Sequence, residues 1–342
     1  MHLDPELVNT HLLSAIQIAV PDPIVMNQIA AAALGVSEVA AFKKTSGQIP
    51  LEPDEFLALT GAFNISLDRF IHGSTTAFAA DLDSDATPFG EPQAYLGRIL
   101  KKLEASVQLP DLYAHHASTA IQVFHYLPFQ ALTSFKLFVL WQHSWNLPLR
   151  GPDLHPETIL ADARVEALRQ QIIQVNSRIN GVEFWSLSML QDTMNQIEYF
   201  AFKQPGNLDY YLLLCDELKQ LLALHQNMAA AGRRYDVSGK APDDTAGSYR
   251  LYFNEIVHTG NIYLLESKVG RMVITIYNNP NFFTSSDLAF CDYTADWFDR
   301  LSKNAQLLSG QAEKMRNIFF DKLRHQVDTL IEKISRLRPR GN

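Results

Sequence analysis

Near residue 249 the spacing of apolar residues changes, and that change bounds the class of fold. Upstream, apolar residues recur at i, i+3 and i+4 in three stretches, Glu157 to Arg178, Glu183 to Phe202 and Leu208 to Ala231. This is the spacing that turns one helix face toward a core. Gly181 and the Pro205-Gly206 pair separate the three. Downstream, Tyr249 to Val257 alternates, and Asn261 to Ser267 and Arg271 to Tyr277 are β-rich runs. With Thr259-Gly260 and Val269-Gly270 as hairpin turns, three antiparallel strands in a meander are expected, closed by Asn278-Asn279-Pro280-Asn281. A helix capped by Ser285 or Ser286 should follow through Leu301, then a long one from Gln311 to Leu337. The expected fold is mainly α with a small antiparallel sheet (α+β).

The first seventy residues follow another plan. Leu3 to Ile18 has helical spacing (Leu7, Val8, Leu12, Leu13, Ile16) and ends at Pro21 and Pro23. Met26 to Leu34 and Ser37 to Thr45 read as two short helices around Gly35. Small Ala31 lets them cross closely, Gly35 accepts the φ > 0 of a short turn, and Ser37 stands where an N-cap hydroxyl belongs. Gly47 and Pro50 stop the third helix. Glu52, Asp54 and Glu55 open a fourth, and Ser66 caps a last one carrying Leu67, Phe70 and Ile71. His72 to Pro92, rich in Gly, Ser, Thr, Ala, Asp and Pro, reads as a connector. The expected division is a DNA-binding unit over 1–75, a linker over 76–92 and a dimerisation or sensing domain over 93–337. That last part opens with a helix over Gln93 to Val107, a short strand over Leu112 to Ala117 and an aromatic helical segment over Ile121 to Trp145.

The order "GVS", a short helix, "G-x-x-P", an acidic helix and "FNISLD" resembles the phage-repressor type of helix-turn-helix domain. Two further runs carry a second resemblance. In Tyr113 to Trp141, Ile121, Phe124, Leu132, Phe135, Lys136 and Phe138 fall in step with the pattern "P-x-L-x-x-F-K-x-F" and the stretch before it. Ser309 to Leu323, "SGQAEKMRNIFFDKL", matches "S-x-x-x-E-K-x-R-x-x-F-F". Together they look like a family of predicted bacterial transcription regulators that begin with the same helix-turn-helix, and the likeness covers nearly the whole chain. It departs at Ala41-Phe42-Lys43-Lys44, where the family has "A-Y-R-R": the charge stays but arginine's bidentate fork is lost. It departs also at Thr119-Ala120-Ile121-Gln122, where the family has "K-D-I-P".

The resemblance implies an N-terminal helix-turn-helix bundle joined to a larger helical domain, and a sequence-specific DNA-binding regulator. In that fold the start of the second motif helix enters the major groove. The matching residues are Ser37, Glu38, Val39, Ala40, Lys43 and Lys44. The lysines can neutralise phosphates, Ser37 can bond one, and Glu38 can accept from a cytosine amino group. Residues 1–71 nonetheless carry three basic and eight acidic side chains, three minus eight giving −5. Phosphate neutralisation supplies most non-specific affinity, so a homodimer presenting two Lys43–Lys44 pairs is expected to do better than a monomer. The alternative is a protein-interaction or scaffold protein whose helix-turn-helix no longer binds DNA.

Other chemistries find little support. A net charge of −8 argues against a whole-surface nucleic-acid binder. There is no apolar run of membrane-spanning length and no basic leader, so a cytoplasmic protein without membrane contact is expected. Two distant cysteines, Cys215 and Cys291, make neither a disulfide scaffold nor a cysteine zinc site. His115, His116 and His125 invite a metal reading, but neighbours on a strand face opposite ways, so His115 and His116 do not easily share an ion, and no HExxH or compact carboxylate cluster supports the three, which read as structural. Phosphate-cradling glycine motifs and a G-x-S-x-G elbow are absent. The aromatics from Phe124 to Trp145 read as core rather than pocket, and Lys333, Arg336, Arg338 and Arg340 as a solvated helix end. No catalytic residue, metal or cofactor is expected, and the chain reads as no enzyme. Its expected partners are double-stranded DNA, a second copy and a small-molecule or protein effector.

Overall fold

The computed structural model describes residues 5–63, 65, 79–81, 92–143, 156–235, 245–255, 261–278 and 281–338. Four helices come first: α1 (Pro5–Ala19), α2 (Pro23–Leu34), α3 (Glu38–Thr45) and α4 (Pro53–Ala62). The Asp22 carboxylate accepts from Ile24 N and Val25 N to start α2, which ends on Gly35 at φ 62°. Ser37 caps α3, its hydroxyl accepting from Ala40 N at 3.3 Å. The chain turns by 104° between the two helices. Leu12, Ile16, Met26, Ala30, Ala41 and Leu59 form the core they share. The helix expected from Ser66 and most of the connector lie outside the described residues. Within that connector, Ala79–Asp81 is a strand, β1.

There follow α5 (Pro92–Ser106), β2 (Tyr113–Ala117), α6 (Val123–Tyr126), α7 (Gln130–His143), α8 (Ala163–Asn176), β3 (Asn180–Trp185), α9 (Gln191–Lys203) and α10 (Leu208–Ala231). Then come β4 (Tyr249–Phe253), β5 (Ile262–Ser267), β6 (Gly270–Asn278), β7 (Asn281–Ser285), α11 (Leu288–Asn304), β8 (Gln306–Leu307) and α12 (Glu313–Ser335). The strands make one eight-stranded sheet in the order β1-β7-β6-β5-β2-β3-β4-β8. β3 pairs parallel with β2 and with β4, and the other pairings are antiparallel.

This overturns the expected small antiparallel sheet: the chain is α+β and rich in helix, but its sheet is large and mixed. Asn180–Trp185, part of which reads by spacing as the start of a helix, is a central strand. Both its faces are covered, as parallel strands require, so its apolar residues run on without alternating. The meander from Tyr249 is not formed either, since β4 lies beside β3 while β5 joins β2 to β6. Nor do the first four helices stand apart as a helix-turn-helix bundle. α1 sits on β6, where a side chain on Gly270 (φ 153°) would lie 2.8 Å from Ile18 Cδ1. Helices α5 and α7–α10, with α12, close one face of the sheet over the main core, which includes Trp185, Tyr249 and Leu251. On the other face α11 covers Ala117, Val182, Phe184, Leu264 and Val273.

The aromatic run splits at Pro128: Phe135 and Phe138 on α7 are buried core, whereas Phe124 borders a cavity. Lys136 of the same run donates to Gln196 Oε1 at 2.8 Å and to Thr193 Oγ1 at 3.3 Å. Burial lowers its ammonium pKa to about 8, against a partly offsetting Asp192 charge. An unfolded lysine holds its proton to about pH 10.4, so between these values the unfolded chain binds more protons and stability rises with pH. Lys136→Met is therefore expected to stabilise the protein by about 1–2 kcal/mol at neutral pH, an advantage that shrinks as pH climbs past 8. Urea unfolding near neutrality and at about pH 9.5 checks this; an equal gain at both would remove the explanation.

Candidate functional site

The site is built on one transverse row of the sheet. Register places Glu183 of β3 opposite His116 of β2, His116 opposite Tyr263 of β5, and Tyr263 opposite Ile274 of β6. Cross-strand partners share a face, so four side chains remote in sequence line up under the helices. Glu183 is 1% exposed. A carboxylate so deep must be paired and hydrogen-bonded, and it is. Trp185 Nε1 donates to Oε2 at 3.0 Å and Tyr249 OH at 3.1 Å, while Arg234 Nη2 donates to Oε1 at 3.3 Å. Burial works to raise the Glu183 pKa, but His125, Arg234 and His225 outweigh it and hold it well below the usual carboxylate range.

Arg234 enters just past the left-handed Gly232 that ends α10. Its Nε donates to Ile179 O at 2.9 Å and its guanidinium lies over the Tyr249 ring. The guanidinium fills the place a Gly181 side chain would take: a Cβ there would be 2.2 Å from Nη2. His225, on α10, donates from Nδ1 to Leu221 O at 2.9 Å, because a carbonyl can only accept. His125, on α6, brings Nε2 to 2.9 Å from Glu183 Oε2, yet out of hydrogen-bonding alignment. Neither His125 ring nitrogen has a hydrogen-bond partner among the described residues.

His116 is fixed as the Nε2–H tautomer, donating to Asn261 Oδ1 at 3.1 Å while Nδ1 accepts from Gln122 Nε2. Burial drives its pKa down to about 3, so it is neutral in the folded protein. His115 faces the other way, 3.5 Å from Glu266 and against Phe298. The expected divergence of the two histidines is what the strand produces.

Above the row lies a cavity of about 200 Å³ between the sheet and α5. Its walls are mainly apolar, with Ile99, Leu103, Phe124 and Leu265 among them, and its polar floor includes His116, Gln122, Glu183 and Arg234. An apolar enclosure with a few convergent polar groups is the usual make-up of a small-molecule site. A second cavity, of about 290 Å³, separates α5 and the sheet from Ile18 and Ala19 of α1. The two share Lys102, Ser106, Leu112, Leu265, Ile274 and Phe282 as wall.

The residues matched to DNA contact lie together around α3, far in sequence from this cavity. Ser37, Glu38, Val39 and Lys43 are exposed and Ala40 is half-buried. Lys44 is not a free cation: its Nζ is 2.7 Å from Glu55 Oε2 on α4. Exposed Val39 and Phe42 leave α3 with an outer face as apolar as it is charged. Sequence spacing singles out neither Glu183 nor His225. The one available signal was the carboxylate inside the apolar run Val182-Glu183-Phe184-Trp185. Both cysteines are buried, and Lys333 of α12 and Arg338 just past its end pair with Glu198 and Asp209. No single helix among the described residues is long and apolar enough to cross a membrane. Comparison of the chain with protein-family models, curated proteins and solved structures finds no match.

Proposed function

We propose that this protein is a DNA-binding transcription regulator whose C-terminal region takes up a small, mainly apolar molecule with one polar head. The observation that carries the reading is the wall shared by the two cavities. A molecule filling the cavity over Glu183 presses on α5, Leu265, Ile274 and Phe282, and these same residues wall the second cavity, which Ile18 and Ala19 of α1 close on its other side. Occupancy can thereby bias where the first four helices sit, since a ligand shifts an equilibrium by its differential affinity for the two arrangements. DNA reading is assigned to α3. The 104° turn, the left-handed Gly35 and the Ser37 cap suit a helix presented to a groove, and Lys43 faces solvent.

Salt titration of binding to genomic DNA fragments, followed by fluorescence anisotropy, tests this. Affinity is expected to fall steeply with salt. Lys43→Ala should weaken it roughly threefold to tenfold and flatten the log–log salt slope by about one for each phosphate no longer neutralised. Glu55→Gln, which frees Lys44, should strengthen it. No salt-sensitive binding at low ionic strength would sink the reading. In that case the second reading, a protein-contact module, takes its place, favoured by exposed Ile24, Val39 and Phe42 and by the Lys44–Glu55 pair.

A further inference from the structure

The cavity and its floor leave one group unexplained. His125 is 2% exposed; its Nδ1 has no hydrogen-bond partner among the described residues, and its Nε2 has only the Glu183 carboxylate, 2.9 Å away and out of hydrogen-bonding alignment. Leaving buried polar groups unmet costs about 1–3 kcal/mol each, so a missing partner is the first thing to seek. His125, Glu183 and His225 each offer a ligand atom, all within 4.8 Å of one another. We propose that these three side chains form a binding site for a divalent transition-metal ion, with Zn²⁺ the fitting cation.

Three features beyond proximity support it. First, the donor set of two imidazoles and one carboxylate is that of three-ligand zinc sites, which leave a fourth position open. Second, the outer partners are those that orient ligands. The His225 Nδ1–H bond to Leu221 O leaves Nε2 as the lone-pair nitrogen. Trp185, Tyr249 and Arg234 hold the Glu183 carboxylate in place. Third, a void of about 30 Å³, lined by His125, His225 and Arg234, lies next to the histidines. It has room for one water-sized molecule beside the two imidazoles. Arg234 adds positive charge beside the ion, so a fourth ligand is best an anion. Zn²⁺ fits better than Mg²⁺ or Ca²⁺, which take oxygen ligands and more of them.

The test uses untagged full-length protein, stripped with chelator and titrated with Co²⁺ as a spectroscopic stand-in. One Co²⁺ per chain is expected, with the intense visible bands of a four- or five-coordinate nitrogen–oxygen site, displaced by stoichiometric Zn²⁺. His125→Gln and His225→Gln, checked for folding by circular dichroism, should each weaken binding by about a hundredfold or more. X-ray absorption at the zinc edge of the loaded wild-type protein should count two imidazoles and no sulfur, a readout that holds even where a variant does not fold. Only the weak spectrum of hydrated cobalt, sulfur in the zinc shell, or bands unchanged in both folded variants would overturn the site. None of these readouts involves DNA, so the outcome is separable from that of the regulator reading.

Discussion

Glu183→Ala, in metal-free buffer, should lower the stability of the C-terminal region by about 3–5 kcal/mol, enough to unfold a large fraction of the chains. Removing one partner of a buried ion pair costs this much because the other charge stays behind without compensation. Here the remaining groups are several. Arg234 keeps the Ile179 carbonyl and the Tyr249 ring but no anion, Trp185 Nε1–H and Tyr249 OH lose their acceptor, and His125 loses its nearest anion. The loss is a difference between unmatched and matched polar groups, so removing both sides should recover much of it. Glu183→Leu/Arg234→Leu is expected to regain more than half of what Glu183→Leu alone loses, in a double-mutant cycle followed by urea unfolding. A single-variant loss below about 1 kcal/mol would mean that water reaches the site and solvates what remains.

The second large effect belongs to a residue without a side chain. Gly247→Ala should cost about 3 kcal/mol, at the upper end of overpacking penalties. A Cβ there would stand 2.3 Å from Ile179 O, 2.5 Å from its carbonyl carbon and 3.0 Å from Asn180 N, all main-chain atoms at the entry to β3. The segment has little freedom to retreat. Gly247 N donates to Ser177 O, Arg234 N donates to Gly247 O, and Gly181 N donates to Ser248 O. Relief by a shift of β4 would pull Arg234 away from Glu183, so the variant should also loosen the cavity floor. Gly35→Ala is the control: its φ of 62° is unfavourable for alanine, but nothing lies within 4 Å of the added methyl. It should cost only about 1 kcal/mol, and a thermal-unfolding series of the two reads the contrast directly.

How far the sequence alone reaches can be seen residue by residue. Local chemistry was legible: Gly35 takes the left-handed turn, Ser37 caps α3, Tyr113–Ala117 is a strand, and the β5–β6 hairpin turns at Lys268-Val269, one residue before the expected Val269-Gly270. Long-range pairing was not. β3 carries no alternation because both its faces are buried, and the glutamate within it reads by propensity as helix. β1 consists of three residues inside a stretch whose composition says loop. The candidate site rests on such pairing throughout. His225 lies on the inner face of a helix full of apolar neighbours, and no spacing distinguishes it there from core. Glu183 was visible as a carboxylate among Val, Phe and Trp, but its distant partners His125, Arg234 and Tyr249 emerge only once α6, β4 and the end of α10 are placed against β3.

The strand order also sets a timetable for synthesis. β2 lies between β3 and β5, and β3 between β2 and β4, so neither can finish its pairing until much later segments have been made. The seat of α1 is later still, since β6 begins at Gly270. At roughly 5–20 residues per second, a ribosome needs on the order of ten seconds or more to travel from α1 to its seat. Over that interval the first four helices can form around their own small core, while His116 and Glu183 stay in water. The cavity is therefore among the last parts of the molecule to take shape on the ribosome, since Ile276 and Phe282 of its wall are made after the first residue of the strand that receives α1.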